Sequence, residues 1–475
     1  MLKRKKEGKF AGIFKKKKKK MKRILICCLL AFTCMSAVQA QETKKEKVKE
    51  HISNHFKPYG FIRNYFSVDT RENVAGTGDL FNYLPKDNNW NQTEAEAAAS
   101  GVAREDLNAQ TTMRFLSLTT RLGLDISGYR WGRTNFGGKI ETDFYAGLTG
   151  STGTAQLRLR QAYMTLSWDS LRMSGDALAR VSLQMGQAWH PLAADLPDVI
   201  SLNSGAPFNP FSRTPQIKMD AQLGKYFTLT ASALWQMQYT SAGPEGASAN
   251  YMKYAYTPEA YLGLSFHPNT NVLLRAGVDI LSIAPRHTST VLNTQNQEVQ
   301  VKVGDRITTF SPFLYLQYKH RDFSLKAKTV FAQAGEHMNL NGGYGISRIC
   351  EDGSWEYTPT RNSSSWISMT YGRQVKGILF AGYVRNFGTI DALATDAAGN
   401  IQGFYFSKNS FTNLNRLLRL SPTILVTWGK FQLGAEYEIT SAQYGKGLKA
   451  ENGLAENDLH WVTNHKVQIM TKFNF

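Results

Sequence analysis

The feature that most constrains this 475-residue chain is the alternation of residue types in its last seventeen positions. From Val467 to Phe475 the odd positions are apolar except for Thr471, whereas the even positions are mostly polar. A period of two is the pattern of a β-strand whose two faces meet different environments. The strand ends on Phe473 and Phe475, and soluble domains rarely end on exposed aromatic residues. The pattern favours the closing strand of a membrane barrel, read by the insertion machinery, with an edge strand of a soluble sandwich as the alternative.

The N-terminus has the order of segments that is typical of an export signal. A positive start at Met21–Arg23 precedes an apolar run, Ile24–Phe32, and a small-residue cleavage site. We therefore predict a signal peptide at 21–40, cleaved near Ala40–Gln41, because the apolar run is too short to span a membrane. The lysine-rich residues 1–20 match no segment of such a signal. We therefore predict that they are a mis-assigned upstream extension and that translation starts at Met21.

The strongly basic balance of the whole chain comes largely from this leader. Residues 1–40 hold thirteen of the 56 Lys and Arg residues and one of the 37 Asp and Glu residues, which leaves a net charge of +7 for residues 41–475. This removes the argument for nucleic acid as a partner. Three of the four cysteines lie in the signal peptide, so Cys350 alone remains. We therefore predict no disulfide framework, no metal site and no cofactor.

After a short charged segment, 41–57, which we expect to be periplasmic, the chain shows the period-two pattern sixteen times. The predicted strands are Tyr59–Asp69, Thr112–Ser127, Thr134–Leu148, Gln156–Trp168, Arg180–Trp189, Gln216–Leu223, Tyr226–Tyr239, Pro258–His267, Asn271–Ala284, Asp305–Lys319, Phe323–Gly335, Ser364–Arg373, Gly377–Phe387, Asn415–Trp428, Phe431–Tyr444 and Leu459–Phe475.

The connections between these strands alternate in length. Turns of a few residues alternate with long loops at 70–110, 190–215, 240–257, 285–304, 336–363, 388–414 and 445–458, the short 149–155 being the exception. Short periplasmic turns and long extracellular loops are typical of outer-membrane barrels. Aromatic residues flank the short turns, as an interfacial belt would require. The prediction is all-β: residues 58–475 form a 16-stranded antiparallel transmembrane β-barrel, closed because an unpaired edge is too costly in hydrocarbon.

The third outer connection is the candidate for narrowing the lumen. It runs from Gln187 to Pro215 and is rich in proline and in side chains that can be buried, Trp189 and Phe211 among them. We predict that it folds inward and brings His190, Asp195 and Asp198 to a pore constriction, with Lys218 on the strand that follows. A loop that stays on the outer surface is the alternative.

The alternation along each strand predicts which side chains face the lumen. Along Gln156–Trp168 it places Leu157, Leu159 and Tyr163 on the outward face. The predicted inward basic residues are Arg63, Arg121, Lys139, Arg158, Arg160, Lys218, Arg275, Lys326, Lys328, Arg385 and Arg419. The predicted inward acidic residues are Asp125, Glu141, Asp143, Asp220, Asp279, Glu436 and Glu438. A basic excess favours anions, and opposed charges set up a transverse field across the pore. The alternative for each of these charges is that it only forms an ion pair with a neighbouring side chain on the barrel wall.

Four motifs around the third outer loop carry a family resemblance. They are Arg-Leu-Arg-Gln-Ala-Tyr from Arg158, Met-Gly-Gln-Ala-Trp from Met185, Leu-Pro-Asp from Leu196 and Arg-Thr-Pro-Gln-Ile from Arg213. In order and spacing they resemble the DcaP-like trimeric outer-membrane porins. The resemblance implies a 16-stranded homotrimer with an inward constriction loop that passes small, preferentially anionic solutes. It also implies that Arg158, Arg160 and Arg213 belong to the basic side of the pore.

Two departures from the family pattern stand beside these motifs. The N-terminal coiled coil of that family is reduced here to residues 41–56, and His190 stands where the family more often has a hydroxyl residue. Trimer assembly and the selectivity filter are the properties that these departures affect.

Together these patterns predict a porin in the outer membrane of a Gram-negative bacterium. The expected partners are outer-membrane lipids, lipopolysaccharide, the barrel-assembly machinery, further copies of the chain and small hydrophilic solutes. Two other functions stay open: a surface or adhesin-type barrel without an open channel, and a barrel enzyme. An enzyme would need a nucleophile–histidine group at one rim, and the nine histidines show no such spacing.

Overall fold

The computed structural model describes residues 54–76, 81–145, 156–172, 178–406 and 413–475. The chain divides into two compact units, Met1–Lys57 and Pro58–Phe475. The predicted upstream extension, the signal peptide and most of the periplasmic segment lie outside the described residues. Sixteen long strands form one antiparallel sheet. They are β1 (Phe56–Asp69), β2 (Thr112–Leu116 and Arg121–Trp131), β3 (Thr134–Tyr145), β4 (Gln156–Arg172), β5 (Leu178–Trp189), β6 (Arg213–Leu223), β7 (Phe227–Leu234), β8 (Glu259–Asn269), β9 (Val272–Ile283), β10 (Ile307–His320), β11 (Phe323–Gln333), β12 (Trp355–Gly372), β13 (Val375–Thr389), β14 (Leu414–Trp428), β15 (Phe431–Leu448) and β16 (Ala455–Asn474).

The first strand closes the sheet. One edge of β1 pairs with β16 from Phe61–Asn474 to Asp69–Lys466, and the other edge pairs with β2 from Tyr65–Leu116 to Asp69–Thr112. Each remaining strand pairs with its neighbours in the sequence. A closed sheet has no unpaired edge, which is the condition for spanning hydrocarbon. The predicted 16-stranded antiparallel barrel is confirmed.

The two faces of the barrel wall reverse the arrangement of a soluble protein. On β10, Phe310 and Leu314 point outward and are 50% and 61% exposed, whereas Thr309 and Ser311 point inward and are buried. The same reversal runs along β14, β15 and β16. Apolar side chains outside and polar ones inside are what a barrel in lipid requires.

Aromatic pairs mark the end of the barrel where the short turns lie. Phe227 stacks on Phe266 at 5.0 Å between ring centroids, and Trp428 stacks on Phe431 at 6.2 Å. Trp131, beside the turn between β2 and β3, is 81% exposed. These rings form the interfacial belt that the sequence predicts at this depth.

The loops carry the remaining elements. No helix among the described residues is long and apolar enough to cross a membrane. The loop elements are the helices α1 (Glu94–Ser100) and α2 (Asn250–Ala255), the 3₁₀ turns Pro191–Ala193 and Gly335–Met338, the hairpins Asn73–Gly76 with Phe81–Pro85 and Thr288–Leu292 with Glu298–Lys302, and the short strands Gly343–Ile349 and Phe404–Phe406.

Two side-chain directions differ from the sequence prediction. Parity along β4 places Tyr163 outside with Leu157, but the pairing of β3 with β4 shifts by one residue between Glu141 and Thr142. This β-bulge moves Tyr163 to the lumen face, opposite Lys139. Arg385 lies on the outward face of β13, not in the lumen, because the even positions of that strand are the buried ones.

One predicted loop is much shorter than expected. The predicted connection 445–458 is reduced to residues 449–454, because β15 continues to Leu448 and β16 already starts at Ala455. A register shift between Tyr444 and Lys446 separates this extension from the lower part of the hairpin.

Candidate functional site

The loop between β5 and β6, residues 190–212 and here called loop 3, turns inward at its first residues. His190 caps the 3₁₀ turn Pro191–Ala193, because its Nδ1 accepts a hydrogen bond from the amide of Leu192 at 3.1 Å. The fixed φ of Pro191 suits the first position of such a turn. The turn is fully buried, and the ammonium of Lys328 on β11 donates to the carbonyl of Leu192.

Two carboxylates bind the first half of loop 3 to the barrel. Asp195 accepts from the guanidinium of Arg275 on β9 at 2.6 and 2.7 Å, and Lys328 lies 3.7 Å away. Asp198 accepts from the ammonium of Lys326 on β11 at 2.7 Å. Charge-assisted hydrogen bonds of this length are the strong ones, so they fix the loop against this side of the lumen.

The second half of loop 3 reaches the opposite side. Tyr65 on β1 donates to the carbonyl of Ile200 at 2.6 Å, and the amide of Ile200 donates to Glu436 on β15 at 3.1 Å. Arg419 on β14 donates to the carbonyl of Ala206 at 2.9 Å. Loop 3 therefore crosses the lumen from β9 and β11 to β14, β15 and β1. The inward fold that the sequence predicts for this loop is what the structure has.

An aromatic anchor holds the far end of the crossing. Phe208 is fully buried and packs on Phe380 at 6.0 Å between centroids. A Cβ on Gly382 would lie 2.4 Å from the Phe208 ring, so only glycine leaves room for it. Beside it, Trp366 donates from its indole nitrogen to the side-chain oxygen of Asn209 at 2.9 Å.

A cavity of about 230 Å³ lies between loop 3 and the wall formed by the first strands. Its wall side carries four arginines, which we call the arginine wall: Arg63, Arg121, Arg158 and Arg160. Its loop side is mainly apolar. The loop-side residues are Leu196, Val199, Ile200, Ser201, Leu202, Ser204 and Phe211, with Trp189 at the start of the loop.

Two carboxylates on β3 hold three members of the arginine wall in place. Asp143 accepts from Arg158 at 2.8 and 2.9 Å and from Arg160 at 2.6 Å. Glu141 accepts from Arg160 at 2.8 Å and lies 3.5 Å from Arg121. Both acids are almost fully buried behind the arginines. Sharing two acids among three arginines orients the guanidinium groups and leaves positive charge uncompensated.

Arg213 lies outside this wall. Its side chain is 1% exposed and is surrounded by the rings of Trp189, Phe211 and Tyr239 at 5.2, 5.6 and 5.9 Å from the guanidinium carbon. It donates to the hydroxyl of Tyr239 at 3.2 Å, while its Nε and Nη1 make no hydrogen bond to the described residues. Cation–π contacts therefore stabilise a buried charge close behind the cavity.

The other predicted site residues are dispersed. Lys218 pairs with Asp220 at 3.0 Å and Lys139 pairs with Asp125 at 2.9 Å, and neither lines the cavity. Lys326 lines a second cavity of about 560 Å³ together with Asp198. Of the residues predicted for the constriction, the structure brings Arg158 and Arg160 together at the cavity and uses Asp195 and Asp198 to fasten loop 3.

His190 belongs to a buried cluster behind loop 3 instead of lining the cavity. Because its Nδ1 accepts from Leu192, its Nε2 carries the proton and donates to Glu259 at 3.0 Å. His337 bonds the same carboxylate oxygen at 2.9 Å, and Asp279 lies 3.6 Å from His190. His190, Glu259 and Asp279 are close enough to hold a metal ion. The proton on Nε2 favours a hydrogen-bond network at this position.

Two neighbouring residues of the Gly335–Met338 turn have raised pKa values. Burial raises the pKa of Glu336 to about 7, although the adjacent His337 lowers it. Burial lowers the pKa of His337, but the charge and hydrogen bond of Glu259 outweigh burial and raise the pKa above its usual value. Both groups are therefore held in their protonated forms up to a higher pH than usual.

Sequence reasoning misses part of the cavity lining. It places Arg63 in the lumen but not at the site, and it treats Trp189 and Phe211 only as buriable residues of loop 3. Parity sets Arg63 on the lumen face, but its position beside Arg121 depends on the pairing of β1 with β2.

Comparison with known proteins finds likeness in fold and none in sequence families. No family model and no curated protein matches the sequence. The outer membrane channel DcaP of Acinetobacter baumannii is similar, with a TM-score of 0.59 and 17% identity over 88% of this chain and 97% of that chain. An anion-selective porin from Comamonas acidovorans gives a TM-score of 0.49 and 9% identity over 88% and 99%, and OmpT of Vibrio cholerae gives 0.47 and 11% over 88% and 97%.

Proposed function

We propose that this chain, whose fold is that of the DcaP channel, is an outer-membrane porin for small hydrophilic and preferentially anionic solutes. Solutes diffuse passively through the water-filled lumen, and loop 3 narrows their path. The anion preference rests on the lining of the 230 Å³ cavity, which includes four arginines and one carboxylate, that of Asp143. A ring of guanidinium groups attracts anions and raises the energy of cations at the same point.

The sign of the selectivity tests this function. Refolded residues 41–475 are inserted into planar lipid bilayers, and the reversal potential is measured under a KCl gradient. We expect anion preference, and replacement of Arg158 by Gln should shift the reversal potential toward cations. Arg385→Gln is the matched control, because it removes the same charge from the outward face of β13.

Two results would end the proposal. Cation preference of the unaltered channel would contradict the anion preference. Absence of conductance in protein that migrates as a folded barrel would contradict the channel itself and favour a surface barrel.

The outer-membrane location has support of its own. The outward face is apolar, aromatic pairs mark one interface, and the chain end seals the barrel: the amide of Phe475 donates to the carbonyl of Gly60 at 3.1 Å. Phe473 lies opposite Phe431 on the neighbouring strand and is 47% exposed to the outside. These contacts suit a terminal recognition signal for the barrel-assembly machinery, with Phe473 and Phe475 as its aromatic residues.

The full proposal includes processing and assembly. It adds export through the signal peptide at 21–40, contact with lipopolysaccharide and assembly into a homotrimer. Mass determination of the protein purified from outer membranes tests the cleavage site near Ala40–Gln41. Light scattering of the same sample tests the trimer, and a monomer mass would contradict it.

A further inference from the structure

Three basic side chains converge on one aromatic ring at the lumen face. The ammonium nitrogen of Lys472 lies 4.5 Å from the centroid of Phe61, and the guanidinium carbons of Arg63 and Arg121 lie 4.9 and 5.0 Å from it. The three cations come from three adjacent strands, β16, β1 and β2. Each contact is within the range of a cation–π interaction, so the ring partly stabilises a cluster of like charges.

The cluster has little negative charge to balance it. Arg63 and Lys472 stand directly opposite each other in the pairing of β1 with β16, an arrangement that destabilises a sheet when the charges are alike. The hydrogen bond of Arg63 goes to the hydroxyl of Thr119 at 3.1 Å. Within the described part of the chain, neither Arg63 nor Lys472 has a carboxylate at ion-pair distance.

The third member of the cluster is only weakly paired. Arg121 lies 3.5 Å from Glu141, whereas Arg160 binds the same carboxylate at 2.8 Å. The Nε of Arg121 is buried and has no hydrogen-bond partner among the described residues. The cluster therefore lacks both a hydrogen-bond acceptor and negative charge. An anion with several oxygens would supply both.

The neighbouring space has the size for such an anion. Arg63 and Arg121 both line the 230 Å³ cavity. At about 30 Å³ per water molecule, this volume corresponds to roughly eight waters, enough for a small oxyanion that keeps part of its hydration. Guanidinium groups offer paired donors to oxygens, and an ammonium adds a compact charge.

We propose that Arg63, Arg121 and Lys472 form a binding site for a doubly charged oxyanion of the sulfate or hydrogen phosphate type in the permeation path. The proposal rests on the porin function and refines its substrate class. A doubly charged ion suits the site better than a halide, because it bridges two or three cations that otherwise repel one another. Solutes carrying a phosphate or sulfate group would dwell at this point.

Sulfate block of chloride current tests the site. In bilayers at constant ionic strength, sulfate should reduce the chloride current in a saturable way, whereas nitrate, which is singly charged, should not. Lys472→Gln and Arg63→Gln should each raise the half-blocking sulfate concentration tenfold or more. Lys472→Arg should retain the block, and Arg385→Gln should match the unaltered protein.

The possible outcomes separate this site from the porin function. An anion-selective channel that sulfate does not block would overturn the site and leave the porin intact. Equal block in the unaltered protein and in Lys472→Gln would also overturn the site, because sulfate then acts elsewhere. An unaltered channel without anion selectivity would contradict both proposals together. Arg63→Gln decides the matter if Lys472→Gln does not refold.

Discussion

At the scale of single residues, Gly382 decides how closely loop 3 approaches the barrel wall. Its missing side chain makes room for Phe208, and a methyl group there would come within 2.4 Å of the ring. Overpacking of this kind costs about 1–3 kcal/mol or moves the intruding group. We therefore expect Gly382→Ala to lower the free energy of unfolding by about that amount and to change the single-channel conductance.

The control for this substitution lies on the same strand. A Cβ on Gly377 meets no atom within 4 Å, so Gly377→Ala should leave both stability and conductance unchanged. Equal effects of the two substitutions would show that backbone flexibility of β13, and not the contact with Phe208, is responsible.

Asp195 is the second residue whose removal has a defined consequence. It accepts two short hydrogen bonds from Arg275 and lies near Lys328, and all three side chains are mostly buried. Asp195→Asn leaves two cations without their counter-charge. We expect a loss of about 2–3 kcal/mol in unfolding free energy, measured by urea titration, and larger fluctuations of the open-channel current.

An exposed acid provides the comparison. Glu298 lies in the solvent-exposed hairpin Thr288–Leu292 with Glu298–Lys302, so Glu298→Gln should change neither quantity. If Asp195→Asn changes neither the unfolding free energy nor the current fluctuations, the apolar contacts of loop 3 suffice to hold the loop in place.

At the scale of elements, the Gly335–Met338 turn links the fixation of loop 3 to pH. The carbonyl of Met338 accepts from the amide of Phe211 at 2.8 Å, so the turn supports the end of loop 3. The pKa values of Glu336, about 7, and of His337 are both raised in the fold. A raised pKa means that the folded state prefers the protonated form. This stabilisation is therefore complete below the usual pKa and is lost as the pH rises through the raised one.

Loop 3 should consequently be less firmly held at pH 8.5 than at pH 5.5. Limited proteolysis of the refolded barrel measures this, and we expect faster cleavage in loop 3 at the higher pH. Glu336→Gln, which cannot ionise, should show a smaller difference between the two conditions. Cleavage that is faster at the lower pH would contradict the assignment of these two groups.

Strand elements could be predicted from the sequence because each strand faces two solvents that select opposite residue types. The same reasoning failed for Tyr163 and Arg385. At Tyr163 a one-residue bulge in the pairing of β3 with β4 reverses the parity that follows it. Arg385 lies near the loop end of β13, opposite Arg416, where the outward face also carries charged side chains.

The candidate site was predictable only in part, for a different physical reason. Parity alone places Arg158 and Arg160 on the lumen face beside their carboxylates. The cluster of Arg63, Arg121 and Lys472 depends on closure of the barrel, which joins the first strand to the last. Because these residues lie far apart in the sequence, no local pattern indicates that they meet. The burial of His190 and Arg213 depends on how loop 3 packs, and no local pattern specifies it.

At the scale of the whole molecule, the C-terminus completes the barrel. The backbone of Phe475 bonds to Gly60, and its ring leaves no space for a side chain there. Deletion of Phe475 removes this contact at the junction of β1 with β16. We expect a severalfold loss of protein assembled in the outer membrane of a producing cell, measured by heat-modifiable migration on gels. Glu298→Gln, in the exposed hairpin, should have no such effect on assembly, and equal yields from the two variants would argue against a terminal signal.

The crossing of loop 3 makes the cavity asymmetric. Any molecule small enough to occupy it has guanidinium groups on one flank and the side chains of Leu196, Val199 and Leu202 on the other. An amphiphilic anion, with its charge at one end and hydrocarbon at the other, finds both halves complemented at once. A uniformly hydroxylated sugar finds only one. In the proposed porin, discrimination between solutes of equal size would then follow from how polarity is distributed within each of them.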